Sequence, residues 1–190
     1  MRNKDEMKQQ AIIDATISLV NEIGFAACSV SKIAKRANVS PATLYVYYKN
    51  KVDLLVSTYI EIKLLFGRKI LNNFDETLPI RDIFKNLWID IFNFTSKSPE
   101  YFQFTEQFSN SPYSDLVDRK TVEKNFEPIL QIVQKGIEQK IIKNVSFDII
   151  SAFLFYPAMT LSNKKLCQSF KQTADNIEAA FNLAWDAVKY

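Results

Sequence analysis

Ser29-Val30-Ser31-Lys32-Ile33-Ala34-Lys35-Arg36-Ala37-Asn38-Val39-Ser40-Pro41-Ala42-Thr43-Leu44-Tyr45-Val46-Tyr47-Tyr48-Lys49-Asn50-Lys51 is the stretch on which the reading of this 190-residue chain turns. Ser29 is a good N-cap for a short helix over 30–37. Val30, Ile33, Ala34 and Ala37 form its inner face, and Lys32, Lys35 and Arg36 its outer face. Asn38 tolerates the left-handed conformation that a tight turn needs, and Val39 plugs the space between helices. Ser40-Pro41 then starts a second short helix over 41–48: serine caps, and proline at N1 has no amide to leave unpaired. Two short helices joined by a tight turn make a helix-turn-helix, which sets its second helix into the DNA major groove N-terminus first. The side chains suit that task. Ser40, Thr43, Tyr45 and Tyr47 offer hydroxyls to phosphates, and Lys51 adds a positive charge to the N-terminus of the next helix. Pro41 and Ala42 are small enough to let backbone approach base edges and thymine methyls. Leu44 and Tyr48 share the inner face of the helix and read as core.

Working outward, Ile12, Ala15, Thr16, Leu19 and Ile23 place one apolar stripe on a helix over 7–23. Gly24 follows at the C′ position, where positive φ is easiest, and Phe25 folds back on the bundle. Asn50 caps a long helix over 51–72. Beyond it, turn signals at 75–79, 97–99, 110–112, 143–146 and 162–172 separate segments long enough for helices: 79–97, 99–109, 113–140, 146–162 and 172–188. With only 3 Gly, 6 Pro and no alternation of apolar and polar residues, the expected fold class is all-α, with about nine helices. A DNA-binding domain over 1–50 and a second helical domain over 51–190 are expected.

Charge agrees with this division. Residues 1–51 hold eight Lys/Arg (Arg2, Lys4, Lys8, Lys32, Lys35, Arg36, Lys49, Lys51) against four acids, whereas the remainder holds sixteen bases against seventeen acids. The positive excess lies in the first quarter, which suits a polyanionic partner. The chain has no histidine, which removes Ser-His and Cys-His nucleophile chemistry and most zinc sites, so no cofactor or metal is expected. Cys28 and Cys167 stand far apart in no CxxC pattern, which fits a reducing cytoplasm. The charged N-terminus is not a signal peptide, and no apolar run is long enough to span a membrane. Two rival classes stay in view. An enzyme would need paired carboxylates beside a nucleophile at a suggestive spacing, and none is found. A helical adaptor would bind protein through the basic first quarter.

The run Ile33 to Leu55, preceded by Gly24-Phe25, resembles the signature of tetracycline-repressor-type (TetR family) regulators, I-A-x-x-A-G-V-S-x-x-T-x-Y-x-Y-F-x-x-K-x-x-L. The resemblance covers residues 7–56. Asn38 replaces the usual Gly, and Tyr48 the usual Phe. The resemblance implies an all-α homodimer on double-stranded palindromic DNA, with a C-terminal ligand-binding and dimerisation domain. Thr43, Tyr47 and Lys51 match family phosphate-contact positions. Pro41, Ala42, Tyr45 and Val46 match positions that face bases or the groove.

The C-terminal half is rich in large apolar side chains. Trp88, Phe92, Phe102, Phe108, Phe126, Phe153, Tyr156 and Met159 are candidates to line a cavity for a small, largely apolar effector, or else to fill a core. Pro157 should kink the helix over 146–162 and free a carbonyl. Ile177, Phe181, Ala184, Trp185 and Val188 make a stripe suited to helix-on-helix dimerisation. Together with the 146–162 segment it is expected to form a four-helix interface between two chains.

Overall fold

The computed structural model describes residues 4–190; Arg2, counted above in the basic quarter, lies outside them. Helices account for all the regular elements among the described residues: α1 (Lys4–Ala27), α2 (Val30–Arg36), α3 (Pro41–Tyr47), α4 (Lys51–Ile70), α5 (Ile80–Lys97), α6 (Pro99–Ser109), α7 (Arg119–Lys124), α8 (Glu127–Glu138), α9 (Phe147–Ile150), α10 (Tyr156–Ser162) and α11 (Ala174–Val188), with a 3-10 turn at Ser114–Leu116. The all-α expectation holds.

Packing divides the chain into two compact units, one of residues up to Lys63 with Glu100–Asp118, the other of Leu64–Pro99 with Arg119–Tyr190. The division expected at 50/51 is not where packing breaks. The first half of α4 contributes Leu54, Leu55 and Ile62 to the same core as Ile12, Ile17, Ile33 and Leu44, and α6 adds Phe104 and Phe108. Asn21 fastens α1 to α6: its amide donates to the Glu100 carbonyl (2.9 Å) and accepts from Gln107 (3.1 Å), while its backbone carbonyl accepts from Gln103 (3.3 Å).

α1 runs past its expected end at 23 but is kinked at Gly24, with φ 75° and ψ 168°, a region that essentially only glycine enters. The kink turns Phe25 onto Phe104, Phe108 and Tyr113, with ring centroids 5.6–6.1 Å apart.

In the second unit, α5 is the central helix. Ile83, Phe84, Leu87, Trp88, Ile91 and Phe92 are buried against α10 and α11. The single helix expected over 113–140 is three pieces: a 3-10 turn, α7 and α8. α8 restarts at Glu127 with Pro128 in its first turn, where a missing amide costs nothing. The 147–162 segment forms as expected, with Pro157 acting locally. The stretch Ser151–Phe155 widens into a π turn, and the Tyr156 amide reaches back to the Ser151 carbonyl; a proline at 157 cannot continue the regular ladder. The end of α11 is tied to 141–143 by Lys143 N to Val188 O and Tyr190 N to Ile141 O, both 2.9 Å.

Candidate nucleic-acid interface

α2, the turn and α3 are fixed by the residues that announce them. The Ser29 hydroxyl accepts from Lys32 N at 3.3 Å. Asn38 takes φ 54°, and Val39 N closes the turn on Ala34 O at 2.9 Å. The Ser40 hydroxyl accepts from Thr43 N at 3.0 Å and also bonds the Thr43 hydroxyl at 2.9 Å. Leu44 is fully buried and Tyr48 nearly so, which anchors the inner side of α3 as expected.

The outer side of α3 presents Pro41, Ala42, Tyr45 and Val46, all exposed. Residues four apart lie one above the other on a helix, so Pro41 with Tyr45 and Ala42 with Val46 make two adjacent rows of one broad surface. Tyr45 is 54% and Val46 78% exposed, large apolar groups that packing within the unit does not require.

The expected phosphate contacts are placed less uniformly. Thr43 is half-buried, its hydroxyl engaged by Ser40. The Tyr47 hydroxyl donates to Asp5 Oδ1 at 3.3 Å; desolvation, and then the Asp5 carboxylate beside it, raise the phenol pKa. The Lys51 ammonium donates to the Phe25 carbonyl at 2.6 Å and is part-buried. An ammonium has three N–H donors, so this bond holds the group in place and leaves two donors for an anion. The N-terminus of α4 is also closed from within: Asn50 Oδ1 accepts from Asp53 N (2.9 Å) and Asp53 Oδ2 accepts from Lys49 N (2.8 Å).

The sequence reading missed the internal use of the basic residues. Lys32 Nζ donates to Ala27 O at 3.0 Å, and Arg36 pairs with Glu22 at 2.6 Å and bonds Ser18 at 2.7 Å. With Lys51, these cations cap carbonyls and an acid around the end of α1, whose last turns leave carbonyls without helical partners. Gly24 was the available signal. Burial raises the Cys28 thiol pKa, partly opposed by Lys51, Lys32 and Arg36. Lys35 and Lys49 are exposed and in no ion pair among the described residues.

The residues expected to line one cavity are divided between the two units, and those of the second, Phe153 and Tyr156 apart, pack in or against its core. Phe108 is core and Phe102 half-buried in the first unit. Trp88 and Phe92 are closed in the core of the second, stacked at 5.8 Å. Phe153 and Tyr156 are 58% and 50% exposed, because the helix over 147–162 buries Leu154, Phe155 and Ala158 instead. Phe126 and Met159 are half-buried at the edge of the core. A groove of about 640 Å³ along α8 is lined by Leu130, Val133, Ile137, Val145 and Phe147 among others, and includes none of the expected residues.

The residues of the expected dimer stripe face the core of their own chain. Phe181, Ala184, Trp185 and Val188 are 0–6% exposed within one chain, packed on Phe84 and Trp88 with ring centroids 5.9–6.2 Å apart; Ile177 is half-buried against the same core. Among the described residues, no cluster of His, Cys, Asp or Glu is arranged to hold a metal, and no helix is long and apolar enough to cross a membrane.

Comparison with known proteins agrees with this geometry. Residues 12–58 match the family model for bacterial regulatory proteins of the tetR family. Residues 79–189 match the tetracyclin repressor-like C-terminal domain. The chain is 35% identical to a TetR family transcription regulator from Marinobacter aquaeolei VT8 of known structure, with TM-score 0.89 over 100% of this chain and 99% of that one. It is 24% identical to an uncharacterized HTH-type transcriptional regulator of Haemophilus influenzae, over 98% of this chain and 97% of the relative. A Vibrio parahaemolyticus protein, a regulator of the same family at 21% identity, shares the fold with TM-score 0.82 over 96% of this chain and 99% of its own. The chain belongs to the TetR family: it is a helix-turn-helix transcriptional regulator rather than an enzyme.

Proposed function

We propose that this regulator is a cytoplasmic homodimeric repressor that holds a palindromic operator through α3 and leaves it when a small, largely apolar effector binds. The observation that carries the DNA reading is the outward face of α3, where Pro41, Ala42, Tyr45 and Val46 stand exposed on a rigidly capped seven-residue helix. Small residues at its N-terminus admit close approach to base edges, and Tyr45 and Val46 supply apolar contact for thymine methyls. Ser40, Thr43, Tyr47 and Lys51 sit around this face as phosphate contacts, with Lys35 and Lys49 adding unpaired charge.

The dimer reading moves to the face opposite the one expected. Ile149 (48% exposed), Phe153 and Tyr156 recur at helical spacing along 147–162, and Leu183 on α11 is 74% exposed. Large apolar side chains on two neighbouring helices mark an interface better than isolated exposed residues do. Two chains paired there would set two α3 helices against successive major grooves. α4 gives its first half to the DNA-holding unit and its second to the other, which suits it to pass a change on; an effector favouring one arrangement shifts the population of DNA-competent dimers.

The experiment is a salt titration of binding to duplex DNA. Phosphate neutralisation predicts a steep linear fall of log affinity with log salt. Salt-independent binding, or none at low salt, would overturn the DNA reading.

A further inference from the structure

Phe25, the residue after the Gly24 kink, is held through both its side chain and its backbone. Its ring meets Phe104, Phe108 and Tyr113, with centroids 5.8, 6.1 and 5.6 Å away and planes inclined 67°, 72° and 62°. These are edge-to-face contacts, which fix orientation as well as distance. Phe104 and Phe108 are fully buried on α6, so the seat they make for the ring is firm. The Phe25 carbonyl lies in the last turn of α1, where helical amides no longer reach. It accepts from the Lys51 ammonium at 2.6 Å.

These contacts close on themselves. Phe108 stacks on Tyr59 with centroids 4.4 Å apart and planes inclined 16°, and Tyr59 stands on α4, the helix that Lys51 begins. The path from Lys51 through the Phe25 carbonyl and ring to Phe108 and Tyr59 therefore returns to α4, all within one unit. In a close-packed interior such a path is not loosened at one joint without displacing the others. Lysine by itself is a point charge on a flexible four-carbon stem, and it loses rotamer freedom when it engages a partner. Seated on the Phe25 carbonyl, Lys51 has lost that freedom before any anion arrives, which favours anion binding.

We propose that Phe25 is a positioning residue for DNA: its ring fixes the carbonyl that aims the Lys51 ammonium, with its two remaining N–H donors, at a phosphate. The inference rests on the phosphate role given to Lys51 above and names the residue that sets it. Phe25 acts through Lys51 and makes no contact with DNA of its own. A cap on the end of α1 would need only a donor at this carbonyl. Three rings converging on the side chain of the same residue also fix where that donor stands.

The test is binding to duplex DNA, over a range of salt, by the full-length chain, Phe25→Leu, Lys51→Met and the double variant. Phe25→Leu keeps an apolar side chain and loses the ring. It should weaken binding roughly three-fold to ten-fold with Lys51 in place, and by no more than roughly two-fold in the Lys51→Met background. A role in folding alone would weaken binding alike in both backgrounds. Tyr113→Leu, at the half-buried rim of the ring cluster, should show the same dependence on Lys51, and it carries the test if Phe25→Leu does not fold. Thermal unfolding of each variant establishes that it is folded before its binding is read. Equal weakening in both backgrounds, or none in either, would overturn the proposal and leave the phosphate contact of Lys51 standing. A Lys51→Met chain with the wild-type affinity and salt slope would instead contradict that contact, and the positioning with it.

Discussion

Replacing Leu183 by Glu separates the two faces of α11. Leu183 is 74% exposed in the single chain, so within one chain the substitution removes little buried area, and surface changes of this kind stay within about 0.5 kcal/mol. If Leu183 is enclosed between two chains, each copy forfeits the burial of a leucine side chain, about 1.5–3 kcal/mol. Two-fold symmetry counts the loss twice, giving roughly 3–6 kcal/mol per dimer before any cost of desolvating the carboxylate. At 1.4 kcal/mol per factor of ten, the dimer dissociation constant should rise by roughly a hundred-fold to ten-thousand-fold. Trp185, 6% exposed, supplies the contrast: Trp185→Ala should cost about 3–5 kcal/mol of folding stability. Sedimentation equilibrium over a range of concentrations, with thermal unfolding alongside, reads both quantities. Leu183→Glu should give a folded monomer whose unfolding temperature, unlike that of the wild type, no longer rises with protein concentration. A dimer that persists in Leu183→Glu, or a variant that loses its cooperative unfolding transition, would refute the reassignment of the interface.

Three further outcomes follow from the DNA-holding unit. Gly24→Ala meets nothing within 4 Å at its new Cβ, so its effect is backbone strain alone, about 1–3 kcal/mol of destabilisation in denaturant unfolding; an unchanged midpoint would mean that the kink is not retained. Lys51→Met removes the partner of the Phe25 carbonyl, at a cost of about 1–3 kcal/mol; if Lys51 also meets phosphate, the salt slope should drop by about 0.9 for each such contact in the DNA complex, and an unchanged slope would confine Lys51 to its structural role. Cys28 is fully buried with a raised pKa, while Cys167 is half-exposed, so iodoacetamide should label Cys167 in the native chain and Cys28 only as it unfolds; early labelling of Cys28, followed by mass spectrometry, would contradict its burial.

The parts of this fold legible in the sequence are those governed by short-range chemistry. Ser29, Ser40-Pro41 and Asn38 act on their own backbone within four residues, so their roles in capping and turning could be read directly, and the family signature rests on the same stretch. The 113–140 region reads as one helix because no turn signal interrupts it between 112 and 143, whereas the breaks depend on local details such as Pro128 entering the first turn of α8. Which face of α11 meets the core was not legible, since a stripe at 3–4 spacing says that a face is buried but not against what. Here Phe84 and Trp88 from a distant part of the chain claim it. The division of the aromatic residues was not legible for the same reason: aromatic content does not distinguish Trp88, enclosed on all sides, from Phe153, turned outward. The internal use of Lys32, Arg36 and Lys51 depends on where the Gly24 kink leaves carbonyls, a matter of three-dimensional placement.

The central claim is that the outer face of α3 reads DNA sequence. Selection of preferred sites from random duplex DNA, carried out with the wild type and with Tyr45→Ala and Val46→Ala, tests it most directly. The wild type should select a palindrome whose half-sites lie roughly 10 base pairs apart, centre to centre, or a multiple of that spacing. Each variant should lose preference at particular half-site positions, by about 1–3 kcal/mol per contacted base pair, while keeping the wild-type salt slope. Selection of no palindrome, or the same preference in both variants as in the wild type, would contradict the claim.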